Sequence, residues 1–390
     1  MTFTQLALVG VLGLLGPLLA YPRSWHLPIV LGELIAGVAI GRTGLGYLDA
    51  SDPTFAFLAD IGFALVMFVA GTHVPVRDPA MRPALKSGVV RALLVAAVAV
   101  GLAYAIAAGT HVHHAPLFAV MIASSSAALI LPIVDSLGLK GDGVVGLLPQ
   151  IAIADSACIV ALPLAVDPKH ALRAAGGAAA VIAAAAVVFL ALRFVEQRGI
   201  RQRVHRVSEE RRFAAELRVQ LVILFALAAL AVTTHVSIML AGFAFGLAVA
   251  AVGEPRRLSR QLFALTEGFL GPLFFVWLGA ELNLRELGAH PSMIVLGVLL
   301  GVAAALAHLV PRALGQQVPY GLLAAAQLGV PVAAATVGTQ LHVLQPGEAS
   351  ALMLSALVSI AVAVVGGSLA SGPTPASPPA PTAPTPAVAS

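Results

Sequence analysis

Apolar runs of about twenty residues follow one another along almost the whole chain, parted by short polar breaks. Their approximate limits are 3–21, 27–44, 56–75, 88–109, 115–138, 143–166, 171–194, 216–235, 237–253, 261–283, 291–311, 318–341 and 348–371. Each is close to the roughly 20 residues that a helix needs to cross the hydrocarbon core of a bilayer. Backbone inside a bilayer must satisfy its own hydrogen bonds, so only helices and closed barrels span it. Barrel strands read as alternating segments of about 10 residues, and no such alternation is present. Only 10% of the 390 residues are charged, against roughly 25% in soluble domains. The expectation is an all-α integral membrane protein with about 13 transmembrane helices.

The basic residues supply an orientation. Loops after odd-numbered runs hold Arg23; Arg77, Arg82, Lys86 and Arg91; Lys140; Arg193 through Arg218; Arg256, Arg257 and Arg260; and Arg312. Loops after even-numbered runs hold only Arg42, Lys169, Arg173 and Arg285 of the 22 Lys and Arg. Cytoplasmic loops collect positive charge. The N-terminus is therefore expected outside and the C-terminus in the cytoplasm, in a bacterial inner (plasma) membrane. The same distribution explains the formal charge of +4 without a nucleic-acid partner. The basic loop from Glu196 to Glu216 reads as a solvated connector. A single cysteine, Cys158, precludes a disulfide framework. Phe3 to Tyr21 lacks the basic start of a signal peptide and reads as the first span. Residues 372–390 are rich in Pro, Ala, Thr and Ser, carry no charge, and are expected to be disordered.

The chain also repeats itself. Leu65-Val-Met-Phe-Val-Ala-Gly71, ending at Arg77, is echoed by Leu273-Phe-Phe-Val-Trp-Leu-Gly279, ending at Arg285. Leu31 and Gly37 are echoed by Leu240 and Gly246. The third run thus corresponds to the tenth and the second to the ninth. A shift of seven spans, an odd number, places the copies in opposite orientation, the inverted-topology repeat of secondary transporters.

Asp155 is the acid that most resists a bland explanation. It lies mid-span in Pro149-Gln-Ile-Ala-Ile-Ala-Asp155-Ser-Ala-Cys. A carboxylate at that depth costs on the order of 3 kcal/mol on insertion scales, a cost usually associated with an ion or proton pathway. A carboxyl group that holds either a proton or a cation, but not both, couples two fluxes by competition. The fifth run carries Ser124, Ser125 and Ser126 ahead of Pro132, and the twelfth carries Gln327-Leu-Gly-Val-Pro331. Interrupted segments at corresponding places in two halves point to a midplane site, where freed carbonyls and hydroxyls ligate a monovalent cation. Asp155, Ser156, Ser124, Ser125 and Ser126 are therefore the candidate ion- and proton-binding residues, with Asp155 the ligand of the cation. Gln327 and Glu33 are secondary candidates. Asp60 and Glu267 read as residues near span ends, and His308 as a packing histidine. His111, His113 and His114 cluster in an outer loop without a neighbouring Cys, Asp or Glu to complete a zinc site. No cofactor is expected.

Leu27-Pro-Ile-Val-Leu-Gly-Glu-Leu-Ile-Ala-Gly37, Asp60-Ile-Gly62 through Phe68-Val-Ala-Gly71, Asp155, and Pro272-Leu-Phe-Phe275 followed by Gly279 resemble the second monovalent cation:proton antiporter family. That family includes sodium/proton exchangers and glutathione-gated potassium efflux proteins. The resemblance spans about residues 5–370. It implies 13 spans in a domain over residues 1–371, with interleaved dimerisation and core subdomains. It also implies a homodimer, elevator-like motion, and crossed, broken fifth and twelfth helices beside an acid on the sixth. Two departures stand out. The residue before the essential acid is Asp, Asn or Gln in the family and is Ala154 here. The eleventh-span lysine of electrogenic members is missing near Ala303, since the only lysines are Lys86, Lys140 and Lys169. With one carboxylate, one-for-one electroneutral exchange of Na+ or K+ for H+ is the expectation.

Two other transport-side readings stay open, a cation channel and an ion-binding relative that no longer transports. An intramembrane enzyme would need a nucleophile and base, or paired metal ligands. The sequence contains no HExxH, no GxSxG and no paired carboxylates.

Overall fold

The computed structural model describes residues 1–21, 29–72, 77, 81–166, 171–198, 215–234, 236–253, 256–282 and 284–371. The loop residues 199–214 and the tail 372–390 lie outside them. The described chain is helical throughout, without a strand among the described residues. In order it forms α1 (Phe3–Gly13), α2 (Leu15–Ala20), α3 (Ile29–Ile40), α4 (Pro53–Thr72) and α5 (Met81–Thr110). Next come α6 (Ala115–Ala123), α7 (Ala127–Ser136), α8 (Asp142–Val166), α9 (Ala171–Gln197), α10 (Ala215–Thr233) and α11 (Ile238–Val252). The chain continues with α12 (Arg256–Leu265) and, after one π-helical turn at Thr266–Leu270, α13 (Gly271–Glu281). It ends with α14 (Leu284–Ala289), α15 (Pro291–Leu309), α16 (Val318–Ala324), α17 (Gly329–Gln340) and α18 (Glu348–Ser371).

Ten helical stretches among the described residues are long and apolar enough to cross a membrane, and α3 and α11 are shorter apolar helices. The fifth apolar run is absent from both sets because it is broken in two, into α6 and α7. The twelfth run is broken in the same way, into α16 and α17. The protein is an integral membrane protein. Leu93, Tyr104, Val187, Leu190 and Val222 stand exposed on α5, α9 and α10, as side chains facing hydrocarbon do.

The repeat seen in the sequence is built into the packing. The third run, α4, lies along the ninth, α11, and the tenth, α13, lies along the second, α3. These are one contact made twice. Both crossings are too close for a side chain: a Cβ on Gly246 would fall 2.8 Å from the Cα of Gly71, and one on Gly279 would fall 3.0 Å from the Cα of Gly37. Between helices in lipid there is no hydrophobic drive to associate, so close backbone approach at small residues supplies the attraction. The two repeated arginines act alike. Arg77 donates from Nη1 to the carbonyl of Val252 at 2.9 Å, at the end of α11. Arg285 donates to Thr43 at 3.1 Å and Gly44 at 3.0 Å, just past the end of α3. Arg77 satisfies a carbonyl that the end of α11 leaves unpaired, with a cation at its negative pole, and Arg285 holds the turn that follows α3. Phe63 of α4 and Phe274 of α13 stack at 4.8 Å between the two arms.

Candidate functional site

The two broken helices meet at their breaks. In the fifth run the helix stops at Ala123 because Ser124 turns to an extended conformation (φ −72°, ψ 152°). Three consecutive serines can bond their own backbone and so compete with the helix. The hydroxyl of Ser124 does this, donating to the carbonyl of Met121 at 2.8 Å. In the twelfth run α17 restarts at Gly329. Pro331 then falls in the first turn, where its missing N–H breaks no helical bond.

Each break supplies caps for the other. The side-chain amide of Gln327 donates to the carbonyl of Met121 at 2.5 Å and lies 3.4 Å from that of Ser124, at the end of α6. In return, the hydroxyl of Ser125 donates to the carbonyl of Ala324 at 2.7 Å, at the end of α16. The freed N–H groups are held from outside the breaks. Ala127, the first residue of α7, donates its N–H to Oδ2 of Asp155 at 3.0 Å. Gln327 donates its backbone N–H to the hydroxyl of Ser359 on α18 at 3.1 Å. Asp155 is only 6% exposed. Its carboxylate therefore sits against the positive end of α7, where an anion is favoured.

The structure thus brings together Asp155, Ser124, Ser125, Ser126 and Gln327, all buried. Ser126 starts α7 through its carbonyl, which accepts from the N–H of Ile130 at 3.0 Å. Ser156 is placed differently. It is half-buried and its hydroxyl bonds back to the carbonyl of Ala152 at 2.6 Å on the same helix. Glu33 is buried on α3, whose main neighbours are α13 and α2 rather than the broken helices. Its carboxylate has no hydrogen-bond partner among the described residues.

Three further polar pairs join distant parts of the chain, none signalled by sequence spacing. His308 on α15 is buried, with Nδ1 at 2.9 Å from the carbonyl of Ala304 and Nε2 at 3.2 Å from the hydroxyl of Ser125. Gln316 donates to the side-chain carbonyl of Gln150 at 2.9 Å, both residues buried. His114 lies 2.7 Å through Nδ1 from the buried carboxylate of Glu348, which also accepts from the N–H of Gln345 at 2.8 Å. That hydrogen bond raises the His114 pKa above its ordinary value against a smaller, opposing effect of burial. An acid does reach the cluster of His111, His113 and His114, then, from 234 residues away. No group of three metal-ligating side chains forms among the described residues.

Comparison with known proteins bears on the family and the fold. Residues 10–370 match the family described as sodium/hydrogen exchanger, transmembrane. YjbQ of Bacillus subtilis (strain 168), whose name assigns it Na(+)/H(+) antiport provisionally, is 23% identical over 91% of this chain. The chain spans 61% of the length of that relative. Na(+)/H(+) antiporter 3 of Methanocaldococcus jannaschii, likewise provisionally assigned, is 24% identical over 82% of this chain and 84% of its own length. The solved structure of the sodium proton antiporter MjNhaP1 from Methanocaldococcus jannaschii at pH 8 superposes with a TM-score of 0.65. That match covers 94% of this chain and 97% of the other at 17% identity, a likeness of fold.

Proposed function

The chain belongs to the sodium/hydrogen exchanger family, and from that premise we propose that it exchanges a monovalent cation, Na+ or K+, for protons across the membrane. The observation that carries the reading is the position of Asp155, a buried carboxylate set on the first N–H of a helix that begins inside a break. Proton and cation compete for this one group, and one-for-one electroneutral exchange follows from their competition. Carbonyls and hydroxyls of the two breaks, from Ser124 to Ser126 and around Gln327, complete the cation's oxygen shell, with Ser156 and Glu33 as outer candidates.

In this proposal residues 1–371 form the transport domain, which crosses the membrane thirteen times. Its fifth and twelfth helices cross at their breaks. The core that carries them moves like an elevator against a dimerisation subdomain of a homodimer. The protein lies in a bacterial inner membrane with its N-terminus outside. The cation channel has less support, since no ring of repeated ligands along a pore accompanies Asp155 among the described residues.

The test is reconstitution in liposomes with an imposed pH gradient, following internal pH on addition of Na+, K+ or Li+. Exchange by the wild type and its loss in Asp155→Asn support the reading and name the ion. Equal activity in both proteins would move the site away from Asp155.

A further inference from the structure

His308 was set aside in the sequence as packing, yet its surroundings hold one hydrogen too few. The carbonyl of Ala304 can only accept, so Nδ1 of His308, 2.9 Å away, carries a hydrogen. A neutral imidazole then has a bare Nε2, and that nitrogen lies 3.2 Å from the hydroxyl of Ser125. The same hydroxyl lies 2.7 Å from the carbonyl of Ala324. Ser125 has a single hydrogen to give, and two acceptors face it. All three residues are buried, so whichever acceptor is passed over finds no bulk water. The opposite tautomer would set a bare Nδ1 against the Ala304 oxygen. An imidazolium would satisfy every group at the cost of a buried charge with no counter-ion beside it among the described residues.

We propose that His308 is a positioning residue for the exchange described above, on which this inference rests. Its Nε2 competes with the Ala324 carbonyl for the Ser125 hydrogen and makes Ser125 a two-position link. Bonded to Ala324, the hydroxyl ties the fifth-run break to the end of α16. Bonded to His308, it ties that break to α15 and leaves the Ala324 carbonyl free to take a cation. Ser125 is two residues from Ala127, whose N–H lies on Asp155. The link therefore sets where the break stands relative to the carboxylate.

Two measurements test this, one of which needs no transport. The first is the imidazole ¹⁵N spectrum of the wild type in lipid bilayers, with the His308 signal assigned by its absence from His308→Gln. The expected signal is a neutral ring protonated at Nδ1, and it shifts when Ser125 is changed to Ala. A ring protonated at Nε2 alone, or a signal indifferent to Ser125→Ala, overturns the proposal even if the protein exchanges no ion.

The second is the apparent KM for the cation in liposomes. His308→Ala raises it about fivefold, the scale of one lost hydrogen bond, and Ser125→Ala, which also removes a candidate cation ligand, raises it at least as much. The double variant is no worse than Ser125→Ala alone, because His308 acts only through that hydroxyl. His308→Gln, whose amide reaches the place of Nε2, restores the KM, whereas His308→Asn, which mimics Nδ1, does not. Additive effects, or equal rescue by Asn and Gln, would show a packing role and sink the idea. Loss of all exchange in the wild type would refute the proposed function and leave the spectrum to decide on His308.

Discussion

The two halves of this protein agree in the arms that hold them together and differ at their helix breaks. The arms are duplicates: Gly71 on Gly246 repeats as Gly279 on Gly37, and Arg77 and Arg285 each bond carbonyls at or just past the partner helix's end. The breaks follow one plan with different chemistry. In each, a freed N–H is held by a side chain from a helix that follows in the same half. For the fifth run that side chain is Asp155, and for the twelfth it is Ser359. A hydroxyl can hold an N–H as well as a carboxylate can, but it does not ionise near neutral pH. Duplication produced two structural latches, and only one of them can carry charge.

The largest effect that would break this comparison is on Asp155. Asp155→Asn keeps a side-chain oxygen for the Ala127 N–H and removes the charge, so the fold survives and exchange falls by a factor of about 100 or more, the scale of an essential group. Melting temperature and proteoliposome exchange measure the two halves of that statement. Exchange at wild-type rates would remove the distinction between the latches.

Next come the arms. Gly37→Val and Gly246→Val each force backbones apart and are expected to destabilise by about 3 kcal/mol, the upper range of overpacking. The sharper expectation is that the two costs agree within about 0.5 kcal/mol, as equivalent sites should. Unequal unfolding in detergent would show that the arms are less alike than their contacts suggest.

Ser359→Ala should cost less. It strands the N–H of Gln327 and destabilises by about 1–3 kcal/mol while exchange continues. A transport loss as deep as that of Asp155→Asn would make Ser359 part of the ion path and undo the division between the latches.

The smallest effect lies at the N-terminal end of α6. His114 has a raised pKa in the folded protein, so its contact with Glu348 stabilises fully below the unfolded value and is lost as pH rises through the folded one. His114→Ala should lower the melting temperature more at about pH 5.5 than at about pH 8.5. A difference independent of pH would mean that the ring acts by packing alone.

These contrasts also explain what the sequence could reveal. Asp155 was legible because an acid amid twenty apolar residues has no cheap explanation, and the breaks because serine runs and proline interrupt helices locally. The arms were legible because close approach leaves glycines at a fixed offset. The links that bind the site together were not. His308 reaches Ser125 across 183 residues and Gln316 reaches Gln150 across 166, and neither pair leaves a periodic trace. Glu348 opens α18 as an ordinary first-turn acid, and nothing in its vicinity announces a histidine. Ser359 looked like any small polar residue in a span, since its role depends on a break formed more than thirty residues earlier.

The N–H of Ala127 on Asp155 has one more consequence. A proton arriving at the carboxylate leaves the other oxygen able to accept that N–H, so α7 can stay moored. A metal ion arriving at the same oxygen presses its charge against the positive pole of the helix and favours cutting the mooring. On the proposed reading, the two passengers carry equal charge but leave the vehicle in different mechanical states, which would let one binding event free the core to travel and the other hold it in place.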